Sequence, residues 1–99
     1  MNPTRHAAQY FGRIKRMFGI TEEMYNEMLR EQEGVCYICH QPDKDNRRLS
    51  VDHDRRMEGY LPVKIVRHLL CGHCNRGLGM FRDDPEVLRR AADYIYACD

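Results

Sequence analysis

Leu49-Ser50-Val51-Asp52-His53-Asp54 lies between two cysteine pairs, Cys36-Tyr37-Ile38-Cys39 before it and Cys71-Gly72-His73-Cys74 after it, and Asn75 follows the last cysteine directly. Each pair has the Cys-x-x-Cys spacing that sets two thiolates on one tight turn. Two such turns complete a four-sulfur tetrahedron of the closed, structural kind that zinc favours. A metal held there would fix an acid (Asp52), an imidazole (His53) and an amide (Asn75) relative to one another. The bracketing therefore predicts a small fold organised around a metal, with the enclosed strand end as its working part.

Other uses of the cysteines fit less well. Cys36-x-x-Cys39-His40 also matches a haem-attachment pattern, but that chemistry needs export, and Met1-Asn2-Pro3-Thr4-Arg5-His6 has no apolar secretion segment. Haem would also leave the second pair unexplained. A thioredoxin-like redox pair fails for the same reason. Cys98 stands outside both pairs and is read as a bystander. His40 and His73, in or beside the turns, are read as exposed or supporting residues, and His6 and His68 as lone histidines without a chemical role.

At 99 residues the chain makes one small domain, in which a metal crosslink adds useful stability to a modest core. The net charge of +1 hides segmentation: residues 1–20 carry Arg5, Arg13, Lys15 and Arg16 with no acid, while residues 21–33 carry five Glu against Arg30 alone. Near-neutrality argues against blanket binding to polyanions but leaves room for local phosphate contacts. No run approaches membrane-spanning length, so the expected setting is the cytoplasm, without a membrane partner.

Helical spacing of Ala7, Tyr10, Phe11, Ile14 and Phe18 predicts a first helix from Thr4, with Thr4 as its cap and Gly19 as its stop. Thr21 followed by Glu22 and Glu23 starts a second helix, whose buried face is Met24, Tyr25, Met28 and Leu29 and whose end lies near Gly34. Gln41–Arg48 reads as a polar turn, Leu49-Ser50-Val51 as a short half-buried strand, Arg55–Pro62 as a polar loop and Val63–Leu70 as a second strand. A short helix is expected over Asn75–Phe81. Asp83-Asp84-Pro85-Glu86 then starts a closing helix with an apolar stripe of Val87, Leu88, Ala91, Ala92, Tyr94 and Ile95.

Taken together, Cys-x-x-Cys, Val51-Asp52-His53-Asp54 and Leu69-Leu70-Cys71-x-x-Cys74-Asn75-Arg76-Gly77-Leu78-Gly79 resemble the recombination endonuclease VII family, phage-type nucleases of the HNH, or His-Me finger, class. The resemblance runs from about Tyr10 to Tyr94. It takes in Gly19-Ile20-Thr21 before the second helix and Phe81-x-Asp83-Asp84-Pro85 before the last. It implies a small α+β fold: a ββα-metal core braced by a four-cysteine zinc site, with N-terminal and C-terminal helices packed around it. The expected organisation is one nuclease domain over residues 1–99, made of a helical arm (1–33), a zinc/ββα catalytic core (34–82) and a C-terminal helix (83–99).

The family's roles map onto matching positions. Cys36, Cys39, Cys71 and Cys74 would hold structural Zn²⁺. Asp52 and Asn75 would ligate a catalytic divalent ion, Mg²⁺ or Mn²⁺, for which hard oxygen donors are suited. His53 would be the general base that takes a proton from the attacking water, a task that suits imidazole near neutral pH. Arg47, Arg48, Arg55, Arg56 and Arg76 are candidates for phosphate contact. One departure stands out, since many relatives continue Asp-His-Asp-His and this chain has Arg55 in place of the second His. The implied function is DNA phosphodiester hydrolysis, extending to nicking or branched-DNA resolution. DNA is the implied partner, with a homodimer and phage replication, recombination or packaging proteins as further candidates, in the host cytoplasm if phage-encoded. The rival reading is a non-catalytic zinc module that binds nucleic acid or protein.

Overall fold

Two amphipathic helices open the chain because their apolar residues recur every three or four positions and their ends carry stop and start signals. The structure, a computed structural model, describes residues 3–57 and 65–98. Helix α1 spans Pro3–Phe18, so Thr4 lies in its first turn instead of capping it. Gly19 ends it in a left-handed conformation (φ 71°) open to glycine at no steric cost. Thr21 caps α2 (Glu22–Glu31), its hydroxyl accepting from the Met24 N–H at 3.1 Å, with Glu22 and Glu23 in the first turn. Gly34, also left-handed (φ 76°), then turns the chain into the first cysteine pair.

Strands β1 (Ser50–His53) and β2 (Val66–Leu70) form an antiparallel two-stranded sheet, followed at once by α3 (Gly72–Met80). The order β1–β2–α3 is the expected ββα unit. A short 3-10 turn, Arg55–Met57, occupies the start of the expected polar loop; the rest of that loop and Val63 of the expected second strand lie outside the described residues. The register pairs Ser50 with Leu70 and Val51 with Leu69, then slips so that His53 pairs with Val66. Two β2 residues, Arg67 and His68, thus oppose Asp52 alone. Such a bulge twists a strand and re-aims side chains beside a site.

The core joins Ile14 of α1, Ile20, Tyr25 of α2, Leu49, Val51, Leu69 and Leu70 to Cys36 and Cys71, with Tyr10, Phe11, Phe18, Met28, Leu29 and Leu78 packed against it. Tyr10, Phe11 and Tyr25 meet edge to face, with centroids 5.4–5.9 Å apart. Burial pushes the Tyr25 phenol above its ordinary value, so it stays a donor and bonds the Leu49 carbonyl at 2.6 Å. Gln32, just past α2, acts like a third strand. Its side chain accepts from the Leu69 N–H and donates to the Leu69 carbonyl, both at 2.9 Å, which satisfies backbone groups of β2.

Strand β1 is shifted from the expected Leu49–Val51 to take in Asp52 and His53, and the last two helices also differ from the sequence expectation. Helix α3 begins at Gly72, three residues earlier than the spacing suggests, because Cys71 serves as its N-cap: Sγ accepts from the Cys74 N–H at 3.5 Å. The second cysteine pair is therefore a helix start. In α4 (Pro85–Ala97) the start is as expected, with Asp84 Oδ1 accepting from the N–H groups of Glu86 and Val87 and Pro85 in the first turn. Its stripe, however, is half-buried only at Val87, Leu88 and Ala91, while Tyr94 and Ile95 stand 71% and 65% exposed.

Candidate functional site

Cys36, Cys39, Cys71 and Cys74 converge with their sulfurs within 4.8 Å of one another. Cys39 Sγ and Cys71 Sγ are 3.8 Å apart, close to the edge, about 3.8 Å, of a tetrahedron with metal–sulfur bonds of about 2.3 Å. That separation is far beyond a disulfide bond, and all five cysteines are unpaired thiols. Burial pushes the Cys36 thiol up, but the N–H groups of Cys39, Cys71 and Ile38 outweigh it and bring the thiol down to about 7. Burial, and then the thiols of Cys71 and Cys36, push Cys74 the other way. Four sulfurs this close ionise together only around a cation, so the donor set fits a metal of the zinc type.

Asp43, in the loop between the metal turn and β1, locks the two halves together. Its Oδ1 accepts from the Gly72 N–H at 2.8 Å, and its Oδ2 accepts from the N–H groups of Asp45 (3.0 Å) and Arg47 (3.1 Å). Those bonds, the Gly72 N–H first, hold its carboxyl below the usual carboxylate range. The second metal turn is thereby fixed to the first by a buried carboxylate, in addition to any metal. Cys98, His40, His73 and His68 are exposed, and His68 stacks on the Tyr37 ring at 3.7 Å.

Beyond the sulfurs, Asp52 is buried on β1 opposite the β2 bulge, His53 ends the same strand half-buried, and Asn75 projects from the first turn of α3. Phe18 packs its ring 5.3 Å from that of His53, tilted 38°. Arg55 NH2 donates to Asn75 Oδ1 at 2.8 Å, and its NH1 reaches Asp52 Oδ1 at 3.4 Å and Asp83 Oδ1 at 3.0 Å. Arg67 completes the cluster, with Nε to Asp52 Oδ2 at 2.6 Å and NH2 to Asp83 Oδ2 at 2.9 Å. Bonding to Asp52 raises the Arg67 guanidinium further above its already high value. Two carboxylates whose side chains are only 4% and 1% exposed are thus matched by two guanidiniums. An unmatched charge at such depth would be severely costly.

The structure therefore brings Asp52, Asn75 and Arg55 together, while His53 is the next residue after Asp52 on β1 and sets its ring against Phe18. The other four candidate arginines lie at the surface. Arg47 and Arg76 are exposed, Arg48 lies 5.3 Å over the Tyr10 ring, and Arg56 forks onto Asp54 at 3.0 and 3.2 Å. Arg67, and Asp83 beyond its part in the start of the last helix, were not expected in the site, although both left a trace in the sequence. Of the adjacent pair Asp83-Asp84, only one can cap α4, which leaves the other needing a role. Arg67 is a cation in a short strand that ends in the buried Leu69 and Leu70, a position that calls for a partner. Asp83 and its neighbour Arg82 also adopt left-handed backbones (φ 55° and 58°), which turn the Asp83 carboxylate into the cluster.

Residues 12–97 match the family model of recombination endonuclease VII. The chain belongs to that family. It is similar to the "Gene 59 protein" of Mycobacterium phage D29, at 42% identity over 92% of this chain and 52% of the relative, and to the "Gene 59 protein" of Mycobacterium phage L5, at 39% over the same shares. The chain thus spans about half the length of the curated relatives it matches. No helix among the described residues is long and apolar enough to cross a membrane.

Proposed function

We propose that this endonuclease VII family chain is the catalytic domain of a metal-dependent, HNH-type DNA endonuclease of phage origin, acting in the host cytoplasm, with Zn²⁺ as the structural metal of the four cysteines. The observation that carries the reading is the shared guanidinium. Asp52 Oδ1 and Asn75 Oδ1 both accept from Arg55, so a carboxylate and an amide oxygen face one position that already holds positive charge. Hard oxygens of this kind suit Mg²⁺ or Mn²⁺. A divalent ion held there would supply charge to the phosphate and to the leaving 3′ oxygen.

The remaining chemistry falls to side chains. His53 would accept a proton from water as the water oxygen bonds to phosphorus; the P–O3′ bond breaks, and the departing 3′ oxygen takes a proton from solvent water, giving a 3′ hydroxyl and a 5′ phosphate. Phe18 restricts the imidazole ring. The exposed Arg47, Arg48, Arg56 and Arg76 would meet backbone phosphates, a contact that positions the duplex without reading its sequence.

Incubation of zinc-loaded protein with supercoiled plasmid and Mg²⁺ or Mn²⁺ tests this. Nicked or linear product is expected, and His53→Ala should lower the rate by about 10²–10⁴-fold, the usual share of a general base. Plasmid binding without cleavage under either ion would instead identify a non-catalytic zinc module. Undiminished cleavage by His53→Ala would remove the imidazole from the mechanism.

A further inference from the structure

The Arg55 guanidinium sits where the proposed cation would sit. It contacts one oxygen from each of the two expected ligands, Asp52 Oδ1 and Asn75 Oδ1, and spans the gap between β1 and α3 that a divalent ion would span. We infer that Arg55 is an internal counter-cation, a positioning residue that holds the ligand oxygens together until a divalent ion displaces it. The inference rests on the assignment of Asp52 and Asn75 as ligands.

Three features support displacement over permanent occupancy. First, the cluster of Asp52, Asp83, Arg55 and Arg67 is balanced, two charges of each sign, so it is stable without an ion. Replacing one guanidinium at the ligand oxygens by a divalent ion leaves an excess positive charge there, which is what a phosphate diester needs. Second, Asp52 does not depend on Arg55 alone, because Arg67 holds its other oxygen at 2.6 Å and keeps the carboxylate aimed during an exchange. Third, the bonds are graded. Arg55 reaches Asp52 at 3.4 Å but Asp83 at 3.0 Å, and its own backbone N–H points to Asp83 Oδ2 at 3.5 Å. Asp83 thus offers the displaced guanidinium a partner, and release from Asp52 and Asn75 does not strand it.

A competitor of this kind scales apparent ion affinity by the fraction of time it leaves the site open; a latch closed about nine times in ten weakens it about tenfold. The test is Mn²⁺ binding to zinc-loaded protein in the absence of DNA, read by electron paramagnetic resonance, for wild type, Arg55→Gln, Arg55→Lys and Asp52→Asn. The expected result is Mn²⁺ dissociation constants lowered about tenfold in both Arg55 variants. Lysine is the decisive variant: it keeps the charge, but its compact ammonium cannot bridge two oxygens as the planar fork does. Without Mn²⁺ the glutamine variant should melt earlier than wild type, and Mn²⁺ should raise its melting temperature by more.

Unchanged or weaker Mn²⁺ binding in both Arg55 variants, with Asp52→Asn still abolishing binding, would overturn the counter-cation role and leave the ligand assignment standing. Mn²⁺ binding that survives in Asp52→Asn, or that is absent from every protein, would overturn the ligand assignment and the counter-cation with it.

Discussion

The ring of Phe18, the last residue of α1, lies against the ring of His53, the last residue of β1, with centroids 5.3 Å apart. The N-terminal helix therefore reaches the candidate general base directly. Phe18→Ala is expected to lower cleavage about tenfold or more, since an ångström of misplacement at a reacting group can cost as much as a hundredfold. Zinc content should not change, because the four sulfurs are gathered by their own two turns and by the Asp43 bond to Gly72. Phe18→Leu, which refills the volume without the ring, should fall between. Equal rates for all three proteins would show that α1 leaves the base alone.

The four-cysteine site makes a separate prediction. Elemental analysis should find one zinc per chain, the count expected of four converging thiolates. Cys36→Ser should lose it and unfold, since structural zinc contributes on the order of 10–16 kcal/mol in small domains. Cys98→Ser should keep its zinc and its circular dichroism spectrum, because Cys98 is exposed and outside the cluster. Retained folding in Cys36→Ser after chelation would mean that the core and the Asp43 bonds suffice without metal.

Acid sensitivity should follow Asp43. Its folded-state pKa is depressed, so it stabilises the fold fully above the unfolded value of about 3.9, and that contribution disappears as pH falls through the lower folded value. Urea midpoints of wild type and Asp43→Asn should differ by a constant amount from pH 5 to 8 and converge below about pH 4. Both proteins lose thiolate–metal bonds alike in acid, so the difference isolates the carboxylate. A gap that widens in acid would contradict the assignment.

Much of this was legible in residue spacing. The two Cys-x-x-Cys turns, the caps at Thr21 and Asp84 and the glycine stop at Gly19 are local signals, and each lies within a few residues of the group it satisfies. Asp52 and Asn75, which share Arg55, could be expected near one another because the cysteines on either side fix the chain around them. What stayed hidden depends on distant partners. Gln32 completing β2 spans 37 residues, and Arg55 meeting Asp83 spans 28. No local pattern records that Arg55 turns inward to Asn75 while Arg56 turns outward to Asp54. The bulge opposite Asp52, which sets Arg67 at 2.6 Å, depends on a register that only the paired strands define.

The last prediction concerns Asp83, whose carboxylate is buried and bonded to both Arg55 and Arg67 while its backbone is left-handed at φ 55°. Two costs separate when it is replaced. Asp83→Asn keeps a residue that tolerates this backbone but removes the charge facing two guanidiniums. It should destabilise by about 3 kcal/mol, the low end for breaking a buried pair, because Arg67 keeps 28% of its side chain exposed. Asp83→Ala removes the same charge and adds the strain of a plain Cβ in the left-handed region, about 1–2 kcal/mol more. Asp83→Gly sheds that strain and should be at least as stable as the alanine variant. Urea midpoints of the zinc-loaded proteins should therefore run wild type, Asn, then Gly at or above Ala. An alanine variant as stable as the asparagine one would mean that the backbone at Asp83 relaxes without cost, leaving charge pairing as the whole of its role.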